Sequence, residues 1–144
     1  GKGKGVPQDD AQAVVWYTKA AKQGYASAQY NLGVMYCNGD GVPQDYAQAV
    51  VWYTKAAEQG HASAQFNLGN MYGKGEGVPQ DYKIAYILFN IAASKGDDSA
   101  VINRDIVLSK LTPAARMEAQ RISTLLYNTK NFSAEFRKLL NSQQ

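Results

Sequence analysis

Apolar residues recur with a helical period between residues 46 and 57. They occupy positions i, i+3, i+4, i+7, i+10 and i+11, namely Tyr46, Ala49, Val50, Tyr53, Ala56 and Ala57. This spacing places them on one face of an α-helix. Gln44, Gln48, Lys55 and Glu58 fall off that face and are predicted to face solvent.

The same pattern occurs earlier in the chain and predicts a first helix over residues 9–23. Asp9 is predicted to cap its first turn, because an aspartate side chain accepts a hydrogen bond from a free backbone N–H there. Gly24, Gly60 and Gly96 follow three helices of this kind and are predicted to end them with positive φ.

A shorter helix is predicted after each of the first two closing glycines, over residues 27–37 and 63–73. Gly33 and Gly69 lie in their interiors, each within a Leu-Gly-x-x-Tyr motif. Glycine inside a helix costs about 1 kcal/mol relative to alanine. Its recurrence therefore predicts that a neighbouring helix approaches closely at this point. No stretch alternates in the manner of a strand.

These helix pairs belong to a sequence repeat with a period of 36 residues. Blocks 5–40 and 41–76 are identical at 28 of 36 positions, and both open with Gly-Val-Pro-Gln-Asp, which returns at residue 77. A fixed period of this length is typical of arrays in which neighbouring units stack. We therefore predict an all-α fold, a right-handed α-solenoid of about eight helices in stacked antiparallel pairs.

The pattern changes after residue 96, where Arg104 and Asp105 replace the Leu-Gly pair. A helix is predicted over residues 98–110, and another begins at Thr112-Pro113 and extends to about Asn128. That helix carries Ala119, Ile122, Leu125 and Leu126 on one face, and a last, short amphipathic helix carries Phe132, Phe136, Leu139 and Leu140. We predict repeats over 1–96 and a divergent terminal repeat with capping helices over 97–144. The alternative is that the last helix docks onto a partner.

The composition and charge of the chain argue against several classes of protein. A hydrophobic content of 45% with 19% charged residues is not that of a disordered chain. Eight basic against five acidic residues over 95–144 form too weak a surplus to predict nucleic-acid binding. No apolar run is long enough to predict a membrane span. The first nine residues resemble the inter-helix loop at 73–81, so the chain is expected to start inside a loop, as a segment of a longer protein.

Candidate chemistry is sparse. His61 is the only histidine, and Tyr25 and Asp97 replace it in the neighbouring units, which predicts a solvent-facing position. Cys37 is the only cysteine, so no intrachain disulfide can form. The two lie in different units at opposite ends of their helix pairs. No metal-ligand spacing or phosphate-binding loop occurs, and we predict no catalytic residue, metal or cofactor.

The positions at which the two similar blocks differ indicate a variable face. Four of the eight differences fall on the short helix or directly after it. Their spacing is i, i+4 and i+7/i+8, so they lie on one face of that helix. The alternative is neutral drift on an exposed surface. The sharper hypothesis is a partner-binding groove, since exposed rings supply anchors and amides can bond a peptide backbone. The predicted groove residues are Tyr30, Asn31, Val34, Phe66, Asn67, Asn70 and Lys74.

The repeat resembles the Sel-one-like repeat (SLR) family, a relative of the tetratricopeptide repeats with a longer inter-helix loop. The matching residues are, in order, Ala28, Leu32, Gly33, Tyr36, Gly39, Gly41, Asp45, Ala49, Trp52, Tyr53, Lys55, Ala56, Ala57 and Gly60. The next copy matches at Ala64, Leu68, Gly69, Tyr72, Gly75, Gly77, Asp81, Ala85, Phe89, Ala92, Ala93 and Gly96. The departures at Arg104 and Asp105 put a further full repeat in doubt.

The resemblance implies a curved array of helix pairs that binds other proteins. It also implies a bacterial member, periplasmic or secreted, of a host-interaction, envelope or immunity type. The sequence hypothesis is therefore a scaffold for a protein or peptide partner, with the oligomeric state left open. The alternatives are a hydrolase acting on envelope material and a purely structural spacer.

Overall fold

The computed structural model describes residues 7–142, which form eight α-helices and no strand. The helices are α1 (Pro7–Lys22), α2 (Ala26–Asn38), α3 (Tyr46–Glu58), α4 (Ala62–Lys74), α5 (Tyr82–Ala93), α6 (Asp98–Leu108), α7 (Pro113–Asn128) and α8 (Phe132–Ser142). Adjacent helices pack in sequence order from α1 to α6 as an α-solenoid, which confirms the predicted fold class. Of the predicted loop at the start of the chain, residues 1–6 lie outside the described residues, and residues 7–9 belong to the first turn of α1.

Two of the repeated aspartates cap helices. Asp45 and Asp81 have extended backbones, and each carboxylate accepts a hydrogen bond from the N–H three residues later, at 3.1 and 3.0 Å. Asp9 does not take this role, because α1 already begins at Pro7 and Asp9 lies within its first turn. Gly24, Gly60 and Gly96 have φ values of 98°, 93° and 95°, as predicted.

The interior glycines are contact points between helices. A Cβ at Gly33 would lie 2.7 Å from the ring of Tyr53, and one at Gly69 would lie 2.7 Å from the ring of Phe89. Cβ atoms essentially never come within 3.0 Å of another heavy atom, so only glycine lets the ring approach the helix this closely. The predicted close approach is confirmed, and the neighbour is an aromatic residue of the following helix, α3 or α5.

The array changes direction after α6. Asp105 occupies the repeat position of Gly69, and Leu125 occupies that of Phe89. A side chain at 105 prevents the close contact, and α7 packs mainly against α5 instead of α6. Leu125 is consequently 49% exposed, contrary to its predicted place on the apolar face, while Ser123 is buried.

Helix α8 folds back onto α3 and α7. Its apolar side is buried, with Phe136 fully inaccessible. Glu58 of α3 was predicted to face solvent, but its side chain is only 19% exposed and contacts α8. Its Oε2 accepts hydrogen bonds from Ser133 Oγ at 2.5 Å and from Arg137 Nε at 3.0 Å. The Arg137 guanidinium and the Ser133 hydroxyl hold the pKa of this carboxyl below its usual value.

Most of the core is one apolar cluster that runs from α3 to α8, with a smaller cluster between α1 and α2. Trp52 of α3 packs against the smaller cluster, so the two are joined along the array. None of the helices in the described part of the chain has the length and apolar content needed to cross a membrane.

Candidate functional site

The predicted groove residues lie on α2 and α4, the short helices of two successive repeats. Helix α6 is the next helix in the same position, and its side chains continue the surface. We call the exposed side of α2, α4 and α6 the A face. Asn70 Oδ1 accepts a hydrogen bond from Asn103 Nδ2 at 2.9 Å, which joins α4 to α6 on this face.

Three asparagines form a row across the A face. Asn31, Asn67 and Asn103 occupy the same position in successive units, 36 residues apart. Asn31 donates to a carbonyl of its own helix, Asn67 to the Tyr53 hydroxyl at 3.2 Å and Asn103 to Asn70. Their Oδ1 atoms have no hydrogen-bond partner among residues 7–142. The row therefore presents one unused acceptor for each repeat.

The two predicted aromatic anchors are half-buried. The ring of Tyr30 stacks on His61 at 4.8 Å between centroids and lies 5.9 Å from Tyr53. Phe66 lies 5.7 Å from Phe89. These rings therefore pack the helices together and expose only part of their surface. Burial raises the pKa of the Tyr53 hydroxyl well above its usual value, so it remains a neutral donor and acceptor.

Val34 and Lys74 complete the predicted set. Val34 is half-buried and packs against the main core, whereas Lys74 is exposed at the end of α4. The seven predicted residues thus lie on two corresponding helices, six of them half-buried and Lys74 exposed. Their role in binding stays a prediction.

His61 is half-buried, whereas the sequence predicted a solvent-facing position. It precedes α4 and its Nδ1 accepts a hydrogen bond from the backbone N–H of Ala64 at 3.2 Å. Burial, together with the nearby Lys95 ammonium, lowers the pKa of the imidazole. Asp97 caps α6 in the same way, whereas Tyr25 makes no such bond, so the exchange between units conceals a structural role.

Cys37 has surroundings that disfavour a thiolate. The side chain is half-buried at the end of α2, near the Tyr53 hydroxyl. Burial, with a contribution from Glu76, raises the pKa of the thiol. Among residues 7–142, no group of three or more His, Cys, Asp or Glu side chains is arranged to hold a metal ion.

A pocket of about 230 Å³ opens on the A face between α4 and α6, over the ring of Phe89. Its lining is Asn70, Gly73, Lys74, Tyr82, Phe89, Asn103, Ile106, Val107 and Lys110. Two of these residues belong to the predicted groove, and the α6 residues were missed because α6 lacks the Leu-Gly pair. The signal that could have found them is the 36-residue spacing that links Asn103 to Asn31 and Asn67.

A second cavity, about 800 Å³, lies away from the A face, along α3 between α1 and α8. Lys22, Lys55 and Arg137 lie at its rim, and Val50 and Leu140 line its apolar part. The sequence did not indicate this cavity, because it depends on where α8 folds back.

The sequence of this chain is similar to a known repeat family. The family model of the Sel1 repeat matches residues 1–25, 26–61 and 62–97. No curated protein matches the chain.

Several solved structures are similar to this chain, among them the following two. One is c5321, "a protective antigen present in uropathogenic Escherichia coli strains displaying an SLR fold"; it is 34% identical, with a TM-score of 0.83 over 97% of this chain. The other is a Sel1 repeat protein from Oxalobacter formigenes, 42% identical, with a TM-score of 0.65 over 67% of this chain. The chain spans only 30% and 40% of the length of these two proteins.

Proposed function

The chain belongs to the Sel1 repeat family, and on this premise we propose that it is a non-catalytic scaffold that binds a partner protein through the A face. The bound element is an extended peptide segment that crosses α2, α4 and α6. The predicted groove residues on α2 and α4 contribute to this surface, and residues of α6 extend it.

The observation that carries the proposal is the asparagine row. A peptide in extended conformation presents backbone N–H groups at regular intervals, and amide side chains recognise such groups independently of the peptide's own side chains. Asn31, Asn67 and Asn103 each have a carbonyl oxygen without a partner among residues 7–142. Each of these asparagines also donates a hydrogen bond within the array, which holds its side chain in place and leaves the carbonyl oxygen available to a partner.

Apolar contacts are available beside the row. Ile102 and Ile106 of α6 are 62% and 53% exposed, next to Asn103. They occupy the repeat positions of Tyr30/Phe66 and Val34/Asn70, whose side chains are more buried. The α6 end of the face therefore has apolar area to bury against a partner, and hot spots of binding depend on such area.

The hydrolase alternative has little support from the side chains. Cys37 is disfavoured as a thiolate, and His61 uses its Nδ1 to cap α4. Neither forms part of a nucleophile–base pair, which would require hydrogen-bond distance between the two groups. A structural spacer would bind nothing through the A face, and this is an outcome that the following experiment can return.

The test is a selection from a random peptide library displayed on phage, with the immobilised chain as target. Recovered peptides are synthesised, and their affinities are measured by fluorescence anisotropy. The A-face variant is Ile102→Ser/Ile106→Ser, and the matched control is Met117→Ser/Leu125→Ser on α7, where both residues are also exposed. Exposed positions are chosen because Phe66→Ala or Asn67→Ala would also disturb packing.

The proposal expects the A-face variant to bind the selected peptides about tenfold or more weakly, with the control unchanged. Asn31→Ala should weaken binding further. If the affinity of the peptides falls in the α7 control and not in the A-face variant, the binding surface is not the A face. A selection that enriches no peptide would favour the spacer.

A further inference from the structure

The pocket between α4 and α6 differs in charge from the rest of the A face. Lys74 and Lys110 line it, and no carboxylate does. Neither ammonium forms a salt bridge with a residue in the range 7–142; Lys110 instead lies over the ring of Tyr82, with 5.8 Å from Nζ to the ring centroid. Two cations without a salt-bridge partner among residues 7–142 thus border one small opening.

The rest of the lining is neutral and suited to a small side chain. Phe89 and Val107 are buried and form an apolar floor, and Asn70 and Asn103 are already joined by a hydrogen bond of 2.9 Å. The amide of Asn70 keeps its Nδ2 without a partner among the described residues. A donor and two ammonium groups therefore surround the opening, and exposed Ile106 borders it.

We propose that this pocket binds an acidic side chain, aspartate or glutamate, of the partner peptide, with an apolar residue of the same peptide seated on Ile102 and Ile106. The inference rests on the proposed function, and it adds the chemistry of the partner. A carboxylate here forms charge-assisted hydrogen bonds with Lys74, Lys110 and the Asn70 amide, and such bonds are stronger than those between neutral groups.

The charge pattern occurs only at this position in the described array. In the preceding unit Val34 and Asn38 occupy the positions of Asn70 and Lys74, so the site between α2 and α4 has one lysine fewer and no amide at position 34. The acidic residue of the peptide is therefore expected over α4 and α6, which sets the register of the peptide along the asparagine row.

The test uses the peptides recovered by the library selection, made with amidated C-termini so that only side chains carry carboxylates. Each is compared with a version in which its acidic residue is changed to the amide, Asp→Asn or Glu→Gln. The protein variant is Lys74→Gln/Lys110→Gln. The control is Lys138→Gln/Lys19→Gln, which removes the same charge from α8 and α1, away from the pocket.

The wild-type chain is expected to bind the acidic peptide about tenfold more tightly than its amide version, and more weakly as salt is raised. The pocket variant should lose this preference and bind both versions alike, whereas the control should keep it. Thermal unfolding of each variant checks that the fold is intact, since a lysine at a helix end also favours the helix.

The outcomes separate this inference from the proposed function. If peptide binding depends on Ile102 and Ile106 but both peptide versions bind equally, the carboxylate site is wrong and the scaffold remains. If the control variant weakens binding as much as the pocket variant, the attraction is general and the site is again wrong. If no selected peptide responds to the A-face variant, both fail together.

Discussion

Arg137 of α8 donates its Nε hydrogen to Oε2 of Glu58 on α3, at 3.0 Å and across 79 residues of sequence. Ser133 shares the same oxygen. In the first repeat the position of Glu58 is occupied by Lys22, which is exposed. The two repeats are otherwise similar, and the repeat that carries glutamate in place of lysine is the one that α8 packs against.

Replacing Glu58 with the lysine of the first repeat should loosen α8. Glu58→Lys places two cations together and removes the acceptor of Ser133, so the melting temperature should fall by a few degrees and α8 should become sensitive to protease. The reversed pair Glu58→Lys/Arg137→Glu should recover part of the loss. Equal protease resistance of α8 in the wild type and Glu58→Lys would show that the apolar side alone holds the helix.

The same contact should depend on pH. Arg137 and Ser133 lower the pKa of Glu58 below its usual 4.5. A carboxyl with a lowered pKa in the fold contributes its full stability above the usual pKa and loses it as the pH falls through the folded value. Urea unfolding should therefore separate the wild type from Glu58→Gln most clearly above pH 4.5, with convergence in acid.

Replacing either of two glycines of α4 with alanine should change the stability of the protein, in opposite directions for the two positions. Gly69→Ala brings a Cβ to within 2.7 Å of the Phe89 ring, so the ring or the helix must move, at a cost of about 2 kcal/mol. Gly73→Ala meets only the Ala85 Cβ at 3.8 Å and gains helix propensity, so it should stabilise by about 0.5–1 kcal/mol. Chemical denaturation measures both changes, and Phe89→Leu should relieve the first.

Protonation of His61 should lower the free energy of unfolding in mild acid. Its Nδ1 must be unprotonated to accept the Ala64 N–H, and burial, with Lys95, lowers its pKa below 6.5. Because the unfolded chain takes up the proton first, stability is complete above pH 6.5 and declines as the pH falls towards the folded pKa. His61→Asn keeps an acceptor that does not titrate and should abolish this decline in pH-dependent unfolding.

The hydrogen bonds between successive units indicate a substitution that should stabilise the fold. Gln59 donates its Nε2 to the Gly24 carbonyl at 2.9 Å and to Gln29 Oε1 at 2.8 Å. One unit later Lys95 has replaced this glutamine and donates to the corresponding carbonyl at 2.7 Å. The Oε1 atom of the next buried glutamine, Gln65, then has no partner in the described structure.

Lys95→Gln should restore the missing hydrogen bond to Gln65 and raise the free energy of unfolding by about 1 kcal/mol. Gln59→Lys, the reverse exchange, should lower it by a similar amount. Denaturant unfolding of the two variants provides the comparison. If Lys95→Gln is destabilising, the contact of the lysine with the Phe132 ring, 5.8 Å away, outweighs the restored bond.

Much of the architecture could be predicted from the chain because its rules are local and repeated. The spacing of apolar residues indicated the helices, and Asp45 and Asp81 marked two of their starts. Gly33 and Gly69 indicated a close contact before the neighbour was known, since a glycine retained inside a helix needs a steric reason. The first helix was placed two residues late because a proline is tolerated in the first turn.

The candidate site was predicted less completely. The asparagines of α2 and α4 were found as variable or neighbouring positions of one face, but Asn103, Ile106 and Lys110 were not, because α6 has lost the motif that identified the other two helices. His61 was misjudged for a related reason. Substitution between repeats shows that a position tolerates change, and it cannot show that His61 and Asp97 cap corresponding helices, α4 and α6.

By itself, the sequence determined the period, the helices and the contacts within each stacked pair, because these depend on residues that are near neighbours in the chain. Only the tertiary structure decided where α7 and α8 go. Asp105 keeps α7 from α6, Leu125 is left exposed, and α8 reaches Glu58 across 79 residues. Such contacts depend on competing packing surfaces and not on a repeating pattern, so they emerge only when the whole array is assembled.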